Sequence, residues 1–400
     1  MTLNERIIED TKRLLASYEV RSESESPSMF EEPRFVTKPS LPPLKDFLPY
    51  LEEIWNTARL TNGGPFHQQL EDKLCEYLGV EHISLFANGT LALITAMQAL
   101  DISGEVITTP YSFIATAHSL HWNQLKPIFV DVDDSTYNLD PSKIEDAITE
   151  NTRAIMPVHV YGQPCDVERI EEIAGRYGLK VVYDAAHAFG VKRNGKSILR
   201  EGDLSVVSFH ATKVFNTFEG GAIICKSAEM KKQIDLLKNF GFSNEVTIIG
   251  TGINAKLNEI QAAFGIVQLQ QIDRNIQLRR EIAKNYERSL TGLPGVSFLA
   301  EDPQVEYNYS YFPIFLDPVQ SPISRDTLYE ALRAKNIFTR RYFYPLITVF
   351  PPYNLGDWDL PIATRASEEV LCLPIYPDLT PEEQGVILDE VYRVFSANAG

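Results

Sequence analysis

One lysine, Lys213, follows a strand-forming run and precedes two glycines in the segment SVVSFHATKVFNTFEGG at 205–221. A lysine leaving a core ordinarily reaches for water. Held in a desolvated pocket, its pKa falls, and the neutral amine forms a Schiff base with an aldehyde. Ser208 stands before this lysine, and Gly220 and Gly221 stand behind it, where glycine lets backbone approach a ligand closely. Asp184 ends the apolar run KVVYD. A carboxylate emerging from a core is costly unless it meets a cation, although capping a helix or pairing with a local lysine would also account for it. Asn88-Gly89-Thr90 lies between a strand-like and a helix-like run. Free backbone N–H groups there, with the Thr90 hydroxyl, make an anion site, or no more than a plain N-cap. His187, three residues past Asp184, reads most simply as a structural histidine.

The combination says more than its members. A phosphate cradle, a strand-end carboxylate and a Schiff-base lysine are the groups that pyridoxal 5'-phosphate requires of a protein. The carboxylate keeps the pyridine nitrogen protonated so that the ring accepts electrons, the cradle holds the phosphate, and the lysine holds the aldehyde and moves protons.

These residues need a scaffold that brings them to one edge. HISLFA (82–87), EVITTP, KPIFVDVD, AIMPVHVYG, KVVYDAAH, LSVVSF and GAIICK are strand-like. GTLALITAMQAL, FIATAHSLHW, PSKIEDAI and DVERIEEIAGRYG between them are helix-like. Strands alternating with helices predict βαβ units and a mainly parallel sheet, with ligands bound outside the carboxyl ends of its strands. The text from 253 to 290 predicts one long connecting helix, and a smaller α/β region follows Pro294. The expected division is an acidic, partly flexible arm over 1–37, a large domain over 38–275, and a connecting helix with a small domain over 276–400. Residues 1–33 hold eight acids and four bases. Ile7, Ile8, Leu14 and Leu15 suit a short helix before the polar tract RSESESPS at 21–28. Composition favours a disordered tail over an arm packed on a partner subunit, and ordered folding is expected from KPSLPPL at 38–44.

The 400 residues are enough for a sizeable core. A net charge of -17 disfavours nucleic acid or an anionic membrane as partner. Cys75, Cys165, Cys225 and Cys372 form no CxxC pair, which suggests a reduced, cytoplasmic protein without a zinc ribbon. No apolar run reaches membrane-spanning length, and MTLNERIIEDTK lacks a signal-peptide apolar stretch. His118 and His121 share a helical face, a spacing that metal ligands use, but no third ligand accompanies them, and core or interface histidines are the better reading; no metal is expected.

The ordered series LTNGGPFHQQLE, FANGTLAL, TTPYSFIATA, VDVD, VHVYGQPCD, YDAAHAFG, SFHATK, EGGAI, GINAKLNEIQAA and RRYFYPL resembles the DegT/DnrJ/StrS sugar aminotransferases, from about Lys38 to the C-terminus. Any one motif alone would be weak. The resemblance implies a fold-type-I pyridoxal phosphate enzyme. It implies that Lys213 and Asp184 are catalytic, that Asp184 partners the pyridine nitrogen, and that His187 lies near the ring oxygen. Phe113 would stack on the ring, while Gly89, Thr90 and Ser208 would bind the phosphate. Asn254 would be offered to that phosphate by a neighbouring subunit, making the enzyme a homodimer with shared sites. Arg340, Arg341, Tyr342 and Tyr344 would reach the diphosphate-bearing substrate, since arginine's fork suits phosphate; a surface turn is the alternative.

The reaction so implied moves the amino group of L-glutamate to a nucleotide-linked keto-sugar. SFHATKVFNTFEGGAI is similar to the branch acting at C4, which points to dTDP-4-keto-6-deoxy-D-glucose and a product for surface polysaccharide (O-antigen of lipopolysaccharide). A UDP-2-acetamido-4-keto-6-deoxy sugar, or amination at C3, is the alternative. A dehydratase of the same fold would carry histidine in place of Lys213. A nicotinamide oxidoreductase would need a GxGxxG that is missing. A sugar-nucleotide-binding or regulatory protein of the same fold is distinguished by activity alone.

Overall fold

The computed structural model describes residues 30–354 and 356–398. The expected helix around Ile7–Leu15 and the tract at 21–28 lie outside the described residues.

The central sheet has seven strands: β1 (His82–Phe86), β2 (Glu105–Thr108), β3 (Lys126–Phe129), β4 (Thr152–Met156), β5 (Lys180–Asp184), β6 (Leu204–Ser208) and β7 (Gly221–Cys225), in spatial order β1-β7-β6-β5-β4-β2-β3. β7 runs antiparallel to both neighbours, and the pairs from β6 across to β3 are parallel. The mainly parallel sheet expected from the alternating pattern is what forms. Its strands read as unbroken apolar runs because both faces are covered. In β7, Ala222 and Ile224 enter one core and Ile223 and Cys225 the other.

Helices α1 (Leu44–Thr57) and α2 (Pro65–Leu78) lie on the first face, α3 (Gly89–Ala99) and α4 (Ala115–Trp122) on the second. α5 (Val167–Tyr177) follows the amphipathic rule. Val167, Ile170, Ile173 and Ala174 are buried, Asp166 caps its start, and Gly178 ends it in the left-handed region at φ 66°.

Three local readings change. PSKIEDAI forms two 3-10 turns, Pro141–Lys143 and Glu145–Ala147. Ile144 alone of that run is fully buried, too little apolar surface to hold a longer helix. The stretch 253–290 is two helices, α6 (Glu259–Leu269) and α7 (Ile272–Leu290). Asn258 starts α6 by accepting the Gln261 N–H at 3.0 Å. α6 is buried on most sides, whereas α7 buries one stripe, so the two face different packing demands and the chain turns at Gln270–Gln271. Third, order begins before Lys38. Phe30 sits in the C-terminal core, Arg34–Phe35 pairs in parallel with Ile337–Phe338, and the Ile375 N–H donates to the Val36 carbonyl.

α7 runs from the first core, at Ile272, into a second core through Ile282, Ala283, Tyr286 and Leu290. That second core joins the three-stranded antiparallel sheet Val296–Phe298, Phe312–Leu316 and Val370–Leu373 to helices Arg325–Ala334 and Pro381–Asn398. No helix among the described residues is long and apolar enough to cross a membrane. The four cysteines are free.

Candidate active site

After the exposed Lys180, β5 is apolar up to its last residue. Val181, Val182 and Tyr183 are buried, and the strand delivers Asp184 to the carboxyl edge of the sheet. Its backbone is fixed to the 157–159 segment: the Asp184 N–H donates to the Pro157 carbonyl, and its carbonyl accepts from the His159 N–H. Thr116 Oγ1 donates to Oδ2 at 2.7 Å and the Ala186 N–H to Oδ1 at 3.1 Å. Both partners are neutral, so burial dominates and pushes the carboxyl above its usual range.

Lys213 comes from the turn after β6. Phe209 and Phe215 are buried and meet edge to face at 4.9 Å, and Phe189 stacks on Phe215 at 4.5 Å. These rings hold down the turn that raises the lysine. The Thr217 N–H closes the turn onto the Phe209 carbonyl, and the Phe209 N–H donates to Gly220. Nζ reaches into the cavity 5.9 Å from the centre of the Tyr311 ring. Desolvation lowers its pKa from 10.5 to about 8, with Asp184 pulling the other way.

At the start of α3 the Asn88 side chain accepts the Leu91 N–H at 2.9 Å. The Gly89 and Thr90 N–H groups belong to the first turn, which has no intrahelical acceptor for them. Two glycines keep this cradle open. A Cβ on Gly89 would stand 3.1 Å from Ser208 Cβ, and one on Gly221 would stand 2.7 Å from the Gly89 nitrogen. The helix start, the Ser208 hydroxyl and bare backbone thus form one anion-sized recess.

The cavity, about 340 Å³, is lined by Gly89, Thr90, Phe113, Asp184, His187, Ser208 and Lys213 from the sheet side, and by Tyr311, Arg340, Tyr342 and Phe343 from the C-terminal half. His187 is buried, and its Nδ1 accepts the Tyr161 N–H at 3.2 Å. Burial, then Lys213, hold its pKa well below normal. The ring is therefore neutral, with its proton on Nε2 as a donor. The donor set, the open cradle and the lowered lysine fit a phosphorylated aromatic aldehyde.

Comparison with known proteins places the chain in a family. The model of the DegT/DnrJ/EryC1/StrS aminotransferase family matches residues 44–392. The chain belongs to that family. It is an aminotransferase, and the family's cofactor is pyridoxal phosphate. The aminotransferase is 56% identical over 366 residues to a dTDP-4-amino-4,6-dideoxy-D-glucose transaminase of Shigella dysenteriae, covering 91% of this chain and all of that one. It is 53% identical over 352 residues to the Escherichia coli protein of the same description, covering 87% and 95%. Among solved structures it is similar to DesI, crystallised in the presence of its TDP-sugar product, with a TM-score of 0.89 at 32% identity and coverage of 93% and 96%.

Three of the expected residues lie outside this cavity of the aminotransferase. Arg341 forms an ion pair with Asp326 at 3.0 Å, and its guanidinium lies over Tyr329 and Tyr344. It and Tyr344 are outside the cavity, while Arg340 and Tyr342 line it. Asn254 is exposed, bridged through its backbone to Asn239, and does not line the cavity of its own chain. Phe113 does line it, yet is 58% exposed. His118 Nδ1 bonds the Tyr353 hydroxyl at 2.7 Å, and no metal-binding cluster occurs among the described residues.

Sequence reasoning missed Thr116, Tyr161 and Tyr311. Thr116 lies inside the quoted YSFIATA, and its hydroxyl was the available signal. Nothing local announces Tyr161 or Tyr311, whose partners are distant in the chain.

Proposed function

We propose that this aminotransferase transfers the amino group of L-glutamate to C4 of dTDP-4-keto-6-deoxy-D-glucose, giving dTDP-4-amino-4,6-dideoxyglucose. The observation that supports it most is the 56% identity, along the full length of the relative, to a transaminase described for that product, on a chain whose cavity gathers Lys213, Asp184 and the open cradle. The relatives' dTDP descriptions favour that nucleotide over UDP.

Bound pyridoxal phosphate supplies a carbonyl that receives the amino group and a ring that takes up electrons when a proton leaves carbon. Gly89, Thr90 and Ser208 hold its phosphate by backbone N–H and hydroxyl donors. Asp184 would partner the ring nitrogen and keep a proton there. His187 would offer its Nε2–H as a hydrogen-bond donor to the ring oxygen, since Nδ1 already accepts from Tyr161. Lys213 Nζ would hold the cofactor's carbonyl when no substrate is bound. With substrate bound, the same amine would accept the α-proton of glutamate and would supply the proton that C4 of the sugar gains. A lysine titrating near 8 exchanges protons readily near neutral pH. Arg340, at the mouth, binds diphosphate, and Tyr342 packs along the sugar.

We read the working unit as a homodimer with Asn254 lent to the partner's phosphate cradle. Supporting this, Asn254 is exposed and does not line its own cavity, and it follows a hairpin whose Val246, Ile248 and Ile249 are exposed.

The test is product analysis with L-glutamate and either dTDP-4-keto-6-deoxy-D-glucose or the UDP-2-acetamido analogue. Amination at C4 of the dTDP sugar is expected. Preference for the UDP sugar, or amination at C3, would overturn the reading.

A further inference from the structure

Of the buried hydroxyl-bearing residues in α3 and α4, one behaves differently from the other two. Thr95 in α3 donates to the Leu91 carbonyl of its own helix at 2.8 Å, and Ser119 in α4 does the same to Thr116. This back-bonding is the ordinary fate of a helical Ser or Thr. Thr116, fully buried in the first turn of α4, points instead to a residue 68 positions away, Asp184 Oδ2, at 2.7 Å. Ser112 Oγ, also buried, lies 2.7 Å behind Thr116 Oγ1. Ser112 lines the cavity.

The direction of these bonds follows from chemistry. An ionised carboxylate only accepts, so the Thr116 proton goes to Asp184 and the Thr116 oxygen is free to accept; Ser112 then donates. The chain runs Ser112 to Thr116 to Asp184, each hydroxyl aimed at the carboxylate. With the Ala186 N–H on Oδ1 at 3.1 Å, both oxygens are gripped and the carboxyl plane is fixed. A proton on Oδ2 of Asp184 would reverse the chain. Burial, the force that drives Asp184 toward that neutral form, is opposed first by Thr116.

We infer that Thr116, oriented by Ser112, is a positioning residue that keeps Asp184 ionised and sets its plane toward the ring nitrogen of pyridoxal phosphate. The inference rests on the cofactor reading above and adds to it the part of the chain that makes Asp184 a usable anion.

The test uses the full-length protein, stripped of cofactor and titrated with pyridoxal phosphate, in wild-type, Thr116→Val, Thr116→Ser and Ser112→Ala forms. Two quantities are read: the dissociation constant, and the pH midpoint of the bound cofactor's visible absorbance. Losing a hydrogen bond to a charged group should weaken binding about tenfold to a hundredfold in Thr116→Val. The midpoint should move upward, because a less firmly protonated ring nitrogen leaves less positive charge near the nitrogen of Lys213. Thr116→Ser, which keeps the hydroxyl, should restore both values, and Ser112→Ala should fall between. Unchanged affinity and midpoint in Thr116→Val would overturn the inference, as would equal loss in Thr116→Ser. Should Thr116→Val fail to melt cooperatively, Ser112→Ala decides: a shifted midpoint supports the chain and an unchanged one overturns it. Wild-type protein that binds no pyridoxal phosphate would instead overturn the cofactor reading, and this inference with it.

Discussion

On the sheet side of the cavity, Asp184 and Ser208 are the last residues of their strands, and Lys213 follows five residues after the second. On the facing side, Arg340 and Tyr342 come from a segment secured by long-range bonds. The Arg340 and Cys372 backbones exchange hydrogen bonds, and the Tyr342 carbonyl accepts from the hydroxyls of Tyr111 and Tyr161. One wall is aimed by local geometry, since a strand end has one direction. The other is aimed by distant partners, and neighbouring residues part company there: Arg340 enters the cavity while Arg341 leaves for Asp326. Under the proposed function the sheet side carries the chemistry and the facing side the choice of substrate, and substitutions should separate the two.

The largest effect is expected at Lys213. Lys213→Ala should lower transamination by at least about a thousandfold, since it removes both the covalent hold and the proton carrier; single-turnover kinetics with glutamate alone would measure it. Asp184→Asn should cost about 10²–10³ in rate for both half-reactions alike, because the ring nitrogen serves both. A loss confined to the sugar half-reaction would blur the proposed division of labour.

Arg340→Ala should raise the KM for the nucleotide sugar about tenfold to a hundredfold, the worth of a charge-assisted bond to phosphate, and leave the glutamate half-reaction near wild type. Arg341→Ala, which breaks a half-exposed ion pair worth at most about 1 kcal/mol, should change either KM by less than about fivefold. Equal effects at 340 and 341 would erase the distinction between them. A further effect is in pH. Only the neutral amine of Lys213 attacks an aldehyde, and burial brings its pKa down to about 8. Cofactor uptake by the stripped protein should therefore accelerate roughly tenfold from about pH 7 to 9 and then level off. A rate still climbing steeply above about pH 10 would mean the lysine titrates as an ordinary exposed one.

The same contrast decides what was legible in the sequence. The alternation of strands and helices places Gly89, Asp184, Ser208 and Lys213 at one edge because each follows an element with a readable period. Thr116 is in a readable helix, but its partner is 68 residues away, and no period reports that. Tyr311 is fully visible as a tyrosine and invisible as a cavity wall, since its place depends on how the C-terminal sheet meets the central one. RRYFYPL shows a set of substrate-suited residues without showing which of them face inward. The single long helix expected over 253–290 failed where the apolar pattern widens from one stripe in α7 to most of the surface in α6.

The central claim, that the strand-edge set around Lys213 carries amino transfer, is tested most directly by one absorbance experiment. Purified wild-type and Lys213→Ala proteins are loaded with pyridoxal phosphate and recorded before and after L-glutamate, with no sugar present. The wild-type visible band should give way to shorter-wavelength absorption in proportion to the protein, while the variant should bind cofactor without that conversion. Wild-type protein that takes up no cofactor, or a variant that converts as fast as wild type, would contradict the account.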